Sequence, residues 1–349
     1  MPDIEIINYS SEKKQIWDDF VKKHASTWID STSHWIDFFE NKYHYENYSF
    51  MIYKNNDLVG IFPLFLIRSI IFGKRLVSGP FLDRGGPFLN CSIKEAWPAI
   101  QEYIGTIAKK YKIDFIEIRS PPQEIPSYQI RSDYVDFYMD LSSQSIDDIW
   151  KSLDKKLRNS IRKAKKHVNV GISNSKEDFF NLYKLHLITM KSLGSIPLDF
   201  QFFEQFWSYV KENKSFIIFA SYNNKIINTN LIVLFKEEAK YELGVYLPDY
   251  RDLQANSLLI FEAIKKCKDL GCKKFVFGRT LKDSNVYTFK KRWAAIEFPI
   301  NYYYKLYKKN SIPSDLRKSK LAFLSRIWPF IPVLITKPIG NYLRKKICL

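Results

Sequence analysis

Cysteine is scarce: four in 349 residues (Cys91, Cys267, Cys272, Cys348), with no CxxC pair and no framework-like spacing. That excludes a disulfide-stapled scaffold, suggests no zinc site, and fits a reducing compartment. The opening MPDIEIINYSSEKK has no apolar core of a secretory signal. Nor does any stretch reach the roughly 18 to 20 consecutive apolar residues that span a bilayer. A cytoplasmic chain is therefore expected. The five histidines (His24, His34, His44, His167, His186) show no HxH or HExxH spacing, so no metal is expected. There is no GxSxG elbow, and no cysteine in a triad context, to supply a covalent nucleophile.

What is present is length, apolar content and segregated charge. A chain of 349 residues exceeds what one core usually supports, and 46% hydrophobic residues are enough for two. The net charge of +17 sits in two places. Residues 151–170 carry eight Lys/Arg against Asp154, and residues 305–349 carry eleven against Asp315, leaving a neutral remainder. Two separate anionic surfaces are implied. Within the second segment lies the least polar run, Leu321 to Ile335, whose only charge is Arg326 and which Pro329 and Pro332 break. With Trp328 and Phe330 at acyl depth and Lys318, Lys320, Lys337 and Arg344 to Lys346 among headgroups, it would make a peripheral anchor on an anionic membrane. Docking on the protein's own core is the competing reading.

The two halves repeat one plan. FMIY breaks at Asn55-Asn56-Asp57 and resumes as LVGIFPLFLI; IIFASY breaks at Asn223-Asn224-Lys225 and resumes as IINTNLIVLF. Asparagine tolerates positive φ, so both read as hairpins. A helix follows each (Ala96, Ile100, Ile104, Ala108; then Leu258, Leu259, Ala263, Ile264, Cys267), and then a short strand, DFIEIRS or KFVFGRT. A duplicated α/β (mixed α+β) unit is the economical explanation. The expected division is 1–145, 146–307, and a basic tail at 308–349. After Ser145 a basic amphipathic helix is predicted, with Trp150, Leu153, Leu157, Ile161 and Ala164 on its apolar stripe.

KKLRNSIRKAKKHVNV, then NLYKLHLITMKSLGSIPLDFQFFEQFW, then FVFGRT followed by FKKRWAA, resemble the GNAT-type acyltransferases related to the Fem peptidoglycan-bridge aminoacyltransferases. HASTWIDSTSHWIDFF and SGPFLDRGGP resemble their N-terminal half. The resemblance implies tandem GNAT-like domains, each a mixed sheet flanked by helices. It also implies acyl or aminoacyl transfer to an amine by direct attack in a ternary complex. No bound cofactor is implied; the donor is aminoacyl-tRNA or acyl-CoA. CoA-dependent members usually carry R/Q-x-x-G-x-G/A before a helix; here Gln254 and Asn256 stand at the glycine positions of the stretch from Tyr250, which weakens a pyrophosphate cradle. The basic helix, through Arg158, Arg162 and Lys163, offers a phosphate backbone an alternative.

By the same resemblance Lys290, in the FK motif, would stabilise the oxyanion or hold donor phosphate, against a solvated lysine on a strand edge. Arg279 ends a strand where α/β clefts open. Arg292 would assist it, and Arg251 and Asn256 would contact the donor. Glu242 and Tyr246, placed by strand alternation on one face, would orient the amine or take its proton. The expected function is transfer of an (amino)acyl group to an amine of a possibly lipid-linked cell-envelope or polysaccharide precursor at the inner face of the membrane. The rivals are a soluble acyl-CoA-dependent N-acetyltransferase and a non-catalytic nucleic-acid-binding pseudo-enzyme.

Overall fold

A computed structural model describes residues 4–69, 73–308, 310–313 and 327–347. It divides into two compact units: Met1–Tyr134 with Ile300–Ser314 and Lys345–Leu349, and Val135–Pro299 with Asp315–Arg344. The division after Tyr134 falls inside a strand, earlier than the expected Ser145. The second half of that strand joins the second unit, where Tyr138, Met139 and Asp140 pair with Val276, Phe275 and Lys274. The expected third segment, 308–349, is shared between the two units.

The first unit holds β1 (Ile4–Asn8), α1 (Lys14–Lys23), α2 (Ser33–Asn41), β2 (Glu46–Asn47), β3 (Phe50–Lys54), β4 (Asp57–Phe62), β5 (Phe65–Ser69), β6 (Gly73–Val77), β7 (Phe88–Leu89), α3 (Ile93–Tyr111) and β8 (Phe115–Arg119). β9 (Gln129–Asp140) begins in it. One sheet runs β1-β3-β4-β7 and another includes β2-β5-β6-β8, with β6 and β8 parallel. α3 is the crossover helix between these parallel strands, and it buries Ala96, Trp97, Ile100, Ile104, Ile107 and Ala108. The run LVGIFPLFLI is two strands. Pro63 has no N–H to continue the ladder, so β4 pairs with β3 while β5 pairs with β6.

The second unit takes up β9 and continues with α4 (Ile146–Ser152), α5 (Lys155–His167), β10 (Asn169–Ser173), α6 (Lys176–Ser192), α7 (Phe200–Lys211), β11 (Ser215–Tyr222), β12 (Lys225–Phe235) and β13 (Glu238–Tyr246). After a 3-10 turn (Pro248–Leu253) come α8 (Ala255–Asp269), β14 (Lys274–Val276), β15 (Thr280–Leu281), α9 (Asn285–Lys291), β16 (Ile296–Leu306), which returns to the first unit, and α10 (Val333–Ile347). Its sheet runs β10-β11-β12-β13-β14-β9, antiparallel except for β13 and β14. α8 makes the same crossover here that α3 makes in the first unit.

Both Asn-Asn turns are two-residue loops with positive φ, closing Lys54↔Asp57 and Tyr222↔Lys225. The predicted basic helix is two helices. Leu153 is extended, and Asp154, the one acid in the cluster, caps α5 by accepting from the Lys156 and Leu157 amides at 2.8 and 3.3 Å. Such a cap contributes about 1 kcal/mol.

The tail is partly docked. Trp328 is 2% exposed, so it cannot sit at acyl depth, whereas Phe330 is 85% exposed. Arg75 donates from Nη2 to the Lys346 and Ile347 carbonyls at 2.7 and 2.9 Å, capping the negative end of α10. Lys345 and Lys346 donate to the carbonyls of Lys42 and Arg68 at 3.3 and 3.4 Å. These two lysines therefore contribute to docking. Lys318, Lys320 and residues 321–326 lie outside the described residues.

Candidate active site

β13 and β14 are parallel and paired over three positions only, ending at Lys240↔Val276. The next amide, of Phe277, bonds the Phe137 carbonyl at 2.8 Å instead, while β13 runs on to Tyr246. The two strands therefore part, which opens one edge of β13. A bulge lies at the same level: Leu231 pairs with Leu243 and Ile232 with Tyr241, leaving Glu242 as the extra residue.

The bulge resets the alternation of side chains. A Cβ on Gly244 would fall 1.7 Å from the Tyr241 hydroxyl and 3.0 Å from Asn230 Oδ1, so positions 241 and 244 share a face. Glu242 instead pairs with Lys240 at 3.1 Å. Glu242 and Tyr246 consequently do not share a face, because strand alternation does not carry across an extra residue. The Tyr246 backbone is held apart by the Thr189 hydroxyl, which donates to its carbonyl and accepts from its amide, both at 2.9 Å.

Two groups of side chains flank the opening. On one side Lys290, 4% exposed and on helix α9 rather than a strand edge, donates from Nζ to the Gly278 carbonyl. Gly278 has φ +81, a left-handed conformation natural to glycine, and its absent Cβ would lie 3.4 Å from the Tyr241 carbonyl and 3.8 Å from Lys240 Cε. Lys290, Gly278, Lys240 and Glu242 thus form one neighbourhood, with half-buried Arg279 adjoining in sequence. Lys240 was missed by sequence reasoning; its signal was a lysine inside the strand KYELGVY, two residues from a carboxylate.

On the other side, the Tyr241 hydroxyl donates to Asn256 Oδ1 at 3.3 Å, and burial pushes its pKa up to about 12. Both amide atoms of fully buried Asn230 lack a hydrogen-bond partner. Such groups are rare in a native interior and mark a place for a ligand or water. The Asn-Thr-Asn run within an apolar strand was the available signal.

α8 begins here. Its N-cap, Gln254, is left-handed (φ 58) without glycine, and no side chain caps the helix. Uncapped first-turn amides and the helix dipole favour an anion. Asn256 lies in that first turn, and exposed Arg251 in the preceding 3-10 turn. α5 packs on both α8 and that turn. Among its bases, Arg158 donates to the Lys151 carbonyl at 3.0 Å, Arg162 stands 5.3 Å over the Trp150 ring, and Lys163 is exposed. Half-buried Arg292 accepts the Asp154 amide at its carbonyl (3.0 Å), tying the end of α9 to the start of α5.

A parallel pair thus splays at a bulge, and the uncapped N-terminus of the crossover helix α8 lies beside it. Residues 151–291 match the family model of the acetyltransferase (GNAT) domain. The full chain has the tandem GNAT fold. It is similar to FemX (15% identity, TM-score 0.66), covering 87% of this chain and 98% of that one. It is also similar to a tandem GNAT protein from the clavulanic acid biosynthesis pathway (9%, TM-score 0.57, 90% and 100%) and to L-PGS from Bacillus licheniformis (14%, TM-score 0.56, 92% and 98%). No curated protein matches in sequence. Among the described residues no helix is long and apolar enough to cross a membrane.

Proposed function

We propose that this chain transfers an aminoacyl group from aminoacyl-tRNA to an amine of a cell-envelope or polysaccharide precursor, at the opening between β13 and β14. The observation that carries this reading is the grouping of Lys290, Gly278, Lys240 and Glu242 at the splay of β13, the strand whose Tyr241 reaches the uncapped end of α8. The amine attacks the acyl carbonyl directly and a C–N bond forms. The amine proton passes to Glu242, which Lys240 positions. As the tetrahedral centre collapses, the C–O bond to the ribose breaks and that oxygen takes up a proton. Lys290 supplies positive charge for the oxyanion.

The donor follows from the bases of α5 packed beside α8 and from the missing glycines at 254 and 256, which together suit a phosphate backbone better than a tight pyrophosphate cradle. With a broad panel of lipid-linked amines as acceptor, charged tRNA should support transfer, and the Arg158→Ala/Arg162→Ala variant should raise KM for tRNA about tenfold with little change in kcat. Transfer from acetyl-CoA alone, indifferent to tRNA, would replace this reading with an acyl-CoA-dependent N-acetyltransferase.

The same reading places the chain at a membrane surface. Exposed Ile327, Phe330, Ile339 and Tyr342 supply the apolar contact within the second unit. Phe330→Asp should lower partitioning onto anionic vesicles about tenfold, the loss expected for one aromatic side chain. Unaltered sedimentation with vesicles would remove the membrane from the proposal.

A further inference from the structure

A cavity lies wholly within the first unit, between the C-terminal half of α3 and the ends of β1, β2 and β3. Its volume is about 400 Å³, within the range of small-molecule sites. Three half-buried tyrosines, Tyr48, Tyr103 and Tyr111, form its walls. Polar groups stand between them: Asn8, which accepts from the Tyr103 hydroxyl; Asn47; and Thr106. The Tyr48 hydroxyl donates to that of Tyr111. This bond, and a second from Lys110, holds the Tyr111 phenol below its usual pKa.

The lining carries a single charge and no carboxylate. Lys110 is the one ionic side chain in the lining, and its ammonium stands 5.1 Å over the Tyr111 ring. The neighbouring Arg68 is neutralised by Glu46 at 2.6 Å and lies 5.2 Å over the same ring. The ring planes of Tyr48 and Tyr111 meet at 60°, so they do not form the parallel slot a flat base would enter. Angled aromatic walls interleaved with amide and hydroxyl groups suit a puckered ring that presents C–H groups on its faces and hydroxyls at its edge.

We infer that this cleft of the first unit binds a neutral pyranose of a saccharide. The inference rests on the first unit alone and stands whether or not the second unit uses tRNA.

Saturation-transfer NMR and calorimetry on the full chain test it, with methyl β-glucoside, N-acetylglucosamine, glucuronate and adenosine as probes. A neutral sugar should bind with Kd on the order of 1 mM and receive saturation at its ring C–H positions. Thr106→Trp, an exposed helix position whose new side chain fills the cleft, should weaken binding about tenfold without lowering the melting temperature. Tyr111→Ala should likewise weaken binding by removing a wall. Absence of neutral-sugar binding, binding unchanged by both variants, tighter binding of glucuronate than of the glucoside, or binding of adenosine alone would each overturn the assignment.

Discussion

Lys290→Ala is expected to lower kcat by about 10² to 10³, the usual cost of removing one positioned donor from a developing oxyanion. The KM values for donor and acceptor should change little, because the interaction proposed is strongest in the transition state. The variant also leaves the Gly278 carbonyl without the Nζ that now serves it, which costs stability on the order of 1 to 3 kcal/mol. Thermal melting separates the two effects. A lowered melting temperature with kcat intact would make Lys290 a structural buttress of the Gly278 turn. Lys240→Met provides the internal comparison. It leaves Lys290 in place but releases Glu242 from its 3.1 Å partner, so its defect should appear as a displaced pH–rate profile.

The parts of this molecule legible in the sequence are those written in local chemistry. Two Asn-Asn turns with positive φ, two crossover helices with apolar stripes, and the strands after them all follow from patterns a few residues long. The tandem α/β organisation is legible in the recurrence of those patterns. What was not legible depends on partners far away in the chain. The bulge at Glu242 exists because β12 and β13 differ by one residue between paired positions, and only their register reveals it. It separates Glu242 from Tyr246 and joins Glu242 to Lys240. The break at Asp154 was missed for a different reason. An acid amid eight lysines and arginines reads as charge balance until its carboxylate is seen accepting two amides. The tail was half legible: hydrophobicity marked Trp328 and Phe330 alike, yet tertiary contacts bury one and expose the other.

His186 should make the second unit acid-labile in a specific pH window. It lies on α6, 2% exposed, and its Nε2 accepts the Leu198 amide at 2.9 Å, so the neutral ring is the one the fold accommodates. Burial first, and then the charge of Arg344, depresses its pKa to about 3 from the ordinary 6.5. With the folded pKa below the unfolded one, the unfolded chain binds the proton first. Stability is unaffected above pH 6.5 and falls as the pH drops from there toward the folded pKa, by about 1 kcal/mol for each pH unit. Between pH 6.5 and 4.5 that amounts to about 2 to 3 kcal/mol, a large part of a domain's stability. His186→Gln keeps an oxygen able to accept from Leu198 and removes the titration. Urea midpoints measured across this range should therefore fall less steeply for the variant, while the carboxylates common to both proteins cancel in the difference. Parallel slopes would mean that the ring gains a proton in the folded state, and that the contact between α6 and Leu198 opens before the unit unfolds.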